Sequence, residues 1–248
     1  MEHITSRKNK TAQHLRKLGR SAAYRRENSE FICDGHKLLR EALQFGSKVK
    51  CVLWKERPMF DIPACIEQFT APADLFDYVS PMKNSPGPIF SLEMPEKMKE
   101  LPGSRVIILE NVQDPGNVGT VVRTANALGY DAVVLVGDCA DLYNPKTARA
   151  TMGAVFRQCV ITAEMDELKK LLNARGLKLC GAALTKTARD IREIDLAECA
   201  VCIGSEGRGL SDEMLSLCDS QLIIPMQPDS ESFNAAVAAS IVMWESVR

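Results

Sequence analysis

Arg105-Val106-Ile107-Ile108-Leu109-Glu110, the turn Asn111-Val112-Gln113-Asp114-Pro115-Gly116, the segment Gly119 to Leu128 and the run Ala132-Val133-Val134-Leu135-Val136 decide the fold of this chain. The first and last runs are apolar, too short for helices and bounded by turn residues, which marks buried strands. The segment between them reads as a helix stopped at Gly129. Strand, helix and strand at this spacing form a βαβ unit, and a βαβ unit implies a parallel sheet.

The same alternation extends in both directions. Glu164 to Arg175, Leu177 to Ala183, Ala200 to Ile203, Gln221 to Ile224 and Asn234 to Trp244 read as helix, strand, strand, strand and helix. Residues 104–248 are therefore expected to form a largely parallel sheet covered by helices. Upstream, Phe31-Ile32-Cys33, Val49 to Trp54, Cys65 to Thr70 and Ile89 to Leu92 read as strands, with helices at His36 to Phe45 and Asp74 to Val79. That order predicts a small α/β module over residues 28–98. Pro95, Pro102 and Gly103 among mixed charges mark a linker near residue 100.

The 248 residues carry a net charge of only −1, unevenly spread. Residues 1–50 hold 12 Lys and Arg against 5 Asp and Glu, a net +7, which leaves −8 for the remainder. Residues 1–27 read as a basic helical arm, with Leu15 and Leu18 as its sparse apolar positions. An arm of this kind suits a grip on a polyanion; a merely solvated basic face is the plainer reading. No run approaches the ~20 apolar residues of a membrane span, and the N-terminus lacks the pattern of a secretory signal, so a cytoplasmic protein is expected. Nine scattered cysteines fit reduced, packed thiols.

Chemistry-bearing residues gather in three blocks. Asn117 stands near the start of the helix that carries Arg123, where unpaired N–H groups and side-chain amides can meet phosphate; an N-cap role is the simpler reading of Asn117 alone. Asn144-Pro145-Lys146 leads to Arg149-Ala150-Thr151-Met152-Gly153-Ala154-Val155-Phe156. By itself this is a short helix with solvated basic residues. The third block is Ile203-Gly204-Ser205-Glu206-Gly207-Arg208-Gly209-Leu210-Ser211, then Ile223-Ile224-Pro225-Met226, then Ser232-Phe233-Asn234 before a run of small residues. Its glycines permit close backbone approach but do not form the dinucleotide fingerprint or a phosphate loop, which disfavours a nucleotide-dependent oxidoreductase and nucleotide hydrolysis. His3, His14 and His36 are unclustered, and Cys199 and Cys202 lack a second pair at zinc spacing. No metal site is expected, and the two cysteines read as a buried strand edge.

In order and spacing the three blocks resemble the motifs of the SpoU (TrmH-type) RNA 2′-O-ribose methyltransferases, in the SPOUT superfamily. The resemblance implies a C-terminal trefoil-knotted domain, a knot that periodicity would never predict. It implies S-adenosylmethionine as cofactor, a homodimer, and catalytic roles for Arg123, Asn117 and Glu206. Gly204, Gly209, Ile224, Met226, Ser232 and Asn234 would hold the cofactor. The N-terminal module resembles the substrate-binding domain of many such enzymes; Arg7, Lys8, Lys10, Arg16, Lys17, Arg25 and Arg26 of the basic arm are expected RNA contacts, as are Lys146 and Arg149 from the position of their block between the other two. The chain departs from the family's usual residues at Thr151, at Phe233 and at Ser85-Pro86-Gly87-Pro88. Ribosomal RNA is the expected substrate; transfer RNA and a non-catalytic ribosome-assembly factor are the alternatives.

Overall fold

A computed structural model describes residues 1–197, 199–227 and 231–248. The chain forms two compact units. One comprises Met1–Glu96 with Asp141–Phe156, the other Lys97–Ala140 with Arg157–Arg248.

In the first unit, β1 (Glu2–His3), α1 (Lys10–Arg20) and α2 (Ala22–Asn28) lead to β2 (Glu30–Asp34), α3 (His36–Gln44), β3 (Val49–Lys55), β4 (Glu67–Ala71), α4 (Ala73–Val79) and β5 (Ile89–Glu93). The sheet has the order β1-β4-β3-β5-β2. The basic segment 1–27 is folded into this unit rather than extended from it. β1 pairs in parallel with β4, and α1 buries Ala12, Leu15 and Leu18 against strand residues such as Ile32 and Leu53. Burying a leucine side chain contributes about 1.5–3 kcal/mol. The narrow apolar stripe therefore suffices to hold the helix down.

The second unit begins with β6 (Val106–Glu110), α5 (Pro115–Ala127) and β7 (Ala132–Val136). The chain then contributes α6 (Pro145–Ala150) to the first unit and returns as β8 (Val160–Ala163), α7 (Met165–Arg175), β9 (Lys178–Ala182), β10 (Arg189–Asp190), β11 (Cys199–Ile203), α8 (Asp212–Leu217), β12 (Ser220–Ile223) and α9 (Ala235–Val247). The seven strands run in the order β10-β12-β9-β11-β6-β7-β8, every neighbouring pair parallel. All five residues of β6 and of β7 are buried, as befits strands covered on both faces. β11 lies between β9 and β6, so Cys199 and Cys202 sit in the middle of the sheet and not at an edge. Burial pushes the Cys202 thiol well up, which leaves it an inert packing group.

Local signals explain the helix ends in this unit. The Asp114 carboxylate accepts the Asn117 N–H at 2.9 Å, with Pro115 at the first helical position. Asp114 is thus the cap of α5, and Asn117 lies inside the first turn with its side chain free for other partners. α7 closes on Gly176 at φ +64°.

Asp34 is only 8% exposed at the end of β2 and accepts hydrogen bonds from Ser80 Oγ and Ser85 Oγ. Burial raises its carboxyl above the usual range, against the opposing pull of the two hydroxyls, Arg149 and Lys55. A raised folded-state value means that the associated stability is complete below the unfolded-state pKa and is lost as pH rises through the folded one. Relative to Asp34→Asn, the wild type should lose stability as pH rises above about 4, the ordinary aspartate value, and through the raised folded-state one. Urea unfolding of both proteins across that rise measures the difference.

Candidate active site

In the second unit, the carboxyl ends of β9, β11 and β12 surround a cavity of about 490 Å³. Parallel α/β sheets place their ligands outside the carboxyl ends of the strands. Gly204, Glu206 and Gly209 line the cavity from the loop after β11, Ile224 and Met226 from the chain after β12, and Ser232 from the approach to α9. Exposed Leu184 and Phe233 stand on its wall.

The loop after β11 is a closed turn. Gly209 N donates to Ser205 O at 2.8 Å, and Gly209 itself sits at φ +66°. A Cβ on Gly204 would overlap the Gly209 carbonyl, so only glycine allows the two backbones to approach. Glu206 is held at the exposed tip. At the far end, Glu110 is 2% exposed and accepts from Ser211 N at 2.9 Å and Ser211 Oγ at 2.5 Å. Ser211 Oγ in turn accepts Met214 N at 3.1 Å and caps α8. Glu110 was not among the residues expected here. Its signal was legible: an ionisable side chain closing an otherwise apolar strand needs a partner.

Three side chains far apart in sequence meet beside this loop. The Asn234 side-chain oxygen caps α9 by accepting Ala236 N at 3.0 Å and Val237 N at 3.3 Å. That orients its amide nitrogen, which donates to Asn117 Oδ1 at 3.1 Å and lies 3.5 Å from Glu206 Oε1. Asn117 Nδ2 also donates to Glu206 Oε1. Asn234 therefore serves both as a helix cap and as a junction residue. It borders the cavity without lining it.

Arg123 is not joined to this group. It lies on α5, six residues or about 9 Å of helix rise beyond Asn117. Its guanidinium is exposed and has no hydrogen bond or ion pair among the described residues. A guanidinium is all donor and no acceptor, so the partners open to it are anions and other acceptors.

The basic residues of the first unit separate into different environments. Lys8, Lys10, Lys17, Arg26, Lys146 and Arg149 are exposed. Arg7 and Arg16 place their guanidinium groups 4.7 and 3.8 Å from the centre of the Tyr78 ring, which preorganises two cations about one aromatic ring. Arg25 departs from the expectation. It is 3% exposed, donates to Leu18 O at 2.8 Å and pairs with Asp141 at 2.5 Å. A guanidinium so enclosed cannot reach a phosphate. Thr151 is also buried, its hydroxyl spent on Ala148 O at 2.6 Å. Among the described residues, no three His, Cys, Asp or Glu side chains are grouped to hold a metal.

Because Ser211 loses two bonds to Glu110 at once, Glu110→Ala should destabilise the protein by about 2–3 kcal/mol. Ser211→Ala should add little on top of it, since the two residues act as a unit. Thermal unfolding of the two single variants and the double variant checks both statements.

The model of the SpoU rRNA Methylase family matches residues 104–244. The 23S rRNA (guanosine(2553)-2′-O)-methyltransferase RlmP of Bacillus subtilis is 34% identical over 98% of this chain and 98% of its own. The 23S rRNA (uridine(2479)-2′-O)-methyltransferase of Streptomyces viridochromogenes is 27% identical over 99% of this chain and 91% of its own. Among solved structures, the AdoMet-bound rRNA methyltransferase of Sinorhizobium meliloti superposes with a TM-score of 0.86 at 26% identity, covering 98% of this chain and 96% of that one. The family match spans more than half of the chain and a relative follows nearly all of it, so this chain belongs to the SpoU rRNA methylase family.

Proposed function

We propose that this protein is an S-adenosylmethionine-dependent methyltransferase that modifies a ribose 2′-hydroxyl in ribosomal RNA. The observation that carries the reading is the junction of Asn117, Glu206 and Asn234 beside the cavity at the sheet's carboxyl edge. The relatives named above act on 23S rRNA.

The cavity suits the cofactor. Its volume falls in the range of about 300–1,000 Å³ usual for small-molecule sites. Ile224 and Met226 offer apolar walls, Ser232 a hydroxyl, and the Gly204–Gly209 approach leaves a backbone surface free of side chains. Bound there, S-adenosylmethionine would supply a methyl group on a sulfonium. No metal is needed for such a transfer, because alignment of the reacting atoms does much of the work. Asn117, Glu206 and Asn234 hold α5, the cavity loop and α9 in register. The guanidinium of Arg123, without a partner among the described residues, grips the target phosphate, orients the ribose and stabilises the negative charge that grows on the 2′-oxygen as its proton passes to solvent. The exposed lysines and arginines of the first unit, with Lys146 and Arg149, hold the RNA backbone.

The homodimer is part of the same proposal. Val237, Ile241 and Trp244 recur on one face of α9, with Val237 47% and Trp244 59% exposed. They share a shallow groove with Asn117, Thr120 and Asn234. An exposed tryptophan and valine beside a site mark an interface, and a second copy seated there would complete the surroundings of the junction. The trefoil knot and a cytoplasmic location belong to the proposal too; among the described residues no helix is long and apolar enough to cross a membrane.

The test uses purified protein, labelled S-adenosylmethionine, and rRNA and tRNA pools from cells lacking the protein, followed by nucleoside mass spectrometry. A 2′-O-methylated nucleoside from rRNA is expected; one from tRNA would reassign the substrate. Base methylation would refute the ribose assignment, and cofactor binding without transfer would favour a binding factor. Arg123→Ala should lower kcat by at least about 100-fold, in the range seen when a transition-state donor is lost, with calorimetry returning an unchanged cofactor Kd. Trp244→Arg should yield a monomer in analytical ultracentrifugation and lose activity with it.

A further inference from the structure

The segment 141–156 interrupts the second unit in sequence yet packs in the first. Its helix α6 has six residues, too few to be stable without tertiary contacts. Packing against the sheet and a charge pair hold it. Ala148 is wholly buried in a cluster with Phe31, Leu39, Trp54 and Phe90. The Tyr143 ring packs on Phe31 with centroids 4.7 Å apart.

The entrance to α6 is fixed by a charge pair. Asp141 Oδ2 accepts Arg25 Nη2 at 2.5 Å, its Oδ1 accepts Tyr143 N at 2.9 Å, and its backbone carbonyl accepts Asn144 N at 3.0 Å. Asn144 then caps α6 through Lys146 N at 3.0 Å. On the other side, Arg25 Nη1 donates to the Leu18 carbonyl of α1 at 2.8 Å. One guanidinium thus ties α1 to the turn that sets where α6 begins. Both helices carry exposed cations: Lys10 and Lys17 on α1, Lys146 and Arg149 on α6.

We propose that Arg25 and Asp141 are positioning residues for RNA: the pair of a buried guanidinium with a partly exposed carboxylate fixes where α6 begins relative to α1, so that Lys146 and Arg149 meet a phosphate backbone at a preset distance from the cations of α1. The inference rests on the RNA methyltransferase reading, since it gives that reading's RNA contacts a fixed spacing. Arg25 acts through the residues it places and touches no RNA. Phosphate contacts set register and orientation, so misplacing two of them weakens substrate binding while the chemical step, once RNA is saturating, stays intact.

The experiment compares full-length wild type, Asp141→Asn and Arg25→Met, with transcribed 23S rRNA as probe. Both variants should raise the KM for RNA about tenfold and flatten its salt dependence. kcat at saturating RNA and the S-adenosylmethionine Kd should stay within about twofold. Hydrogen exchange at residues 145–150 should lose protection. Arg149→Gln should cost less in the Asp141→Asn background than in wild type. An unchanged KM despite faster exchange in α6 would overturn the proposal, as would a parallel fall in kcat and cofactor affinity. Should Arg25→Met fail to fold, the milder Asp141→Asn decides. If wild type methylates no rRNA, the function assigned above fails; the salt slope of rRNA filter binding then still decides the positioning claim, an unaltered slope in Asp141→Asn refuting it.

Discussion

In a sheet whose every hydrogen-bonded neighbour runs parallel, all strands end at the same edge, and whatever the following loops carry must collect there. The second unit obeys this constraint across all seven strands. Residues from the loops after β9, β11 and β12 share one cavity although sequence distances of tens of residues separate them. The same edge receives the turn after β6, which is why Asn117 can meet Glu206 and Asn234 at separations of 89 and 117 residues. The apolar runs of β6 and β7, buried on both faces, are what make this arrangement stable.

On that edge, polar side chains do double duty. Asn234 caps a helix with its oxygen and reaches its neighbours with its nitrogen. Ser211 caps α8 while it binds Glu110. Each pairing removes a rotamer choice from a residue at that edge, and preorganisation of that kind is what aligned transfer chemistry requires. Arg123 is the counterexample: it is exposed and makes no hydrogen bond or ion pair among the described residues.

Much of the fold is legible in the amino-acid sequence. Ala132–Val136 is apolar, short and bounded by turns, and it is a strand with those bounds. The short helix α8 gave no such signal: it has six residues, less than two turns, so the helical period could not register. Asn117 looked like a cap, but Asp114 followed by Pro115 is the stronger start, and the Asp-Pro pair was there to be read. The expected residues of the cavity and the junction were legible as a set because they fall in the first and third blocks. The fate of Arg25 was not. Its charge is visible in sequence, whereas its burial depends on Asp141, 116 residues away, and a separation of that size leaves no local pattern.

The excursion of residues 141–156 also has a consequence for synthesis. Residues 1–96 hold most of the first unit, yet the core around Trp54 and Phe90 lacks Ala148, and Arg25 lacks its counter-charge, until the chain has grown well past the linker. At about 5–20 residues per second, that interval lasts several seconds, during which an apolar face and an unpaired guanidinium await material from a later stretch of the chain. The two units therefore cannot mature as beads on a string. The first is finished only after β6, α5 and β7 of the second have left the ribosome, so the biogenesis of the N-terminal unit is paced by the elongation of the C-terminal one.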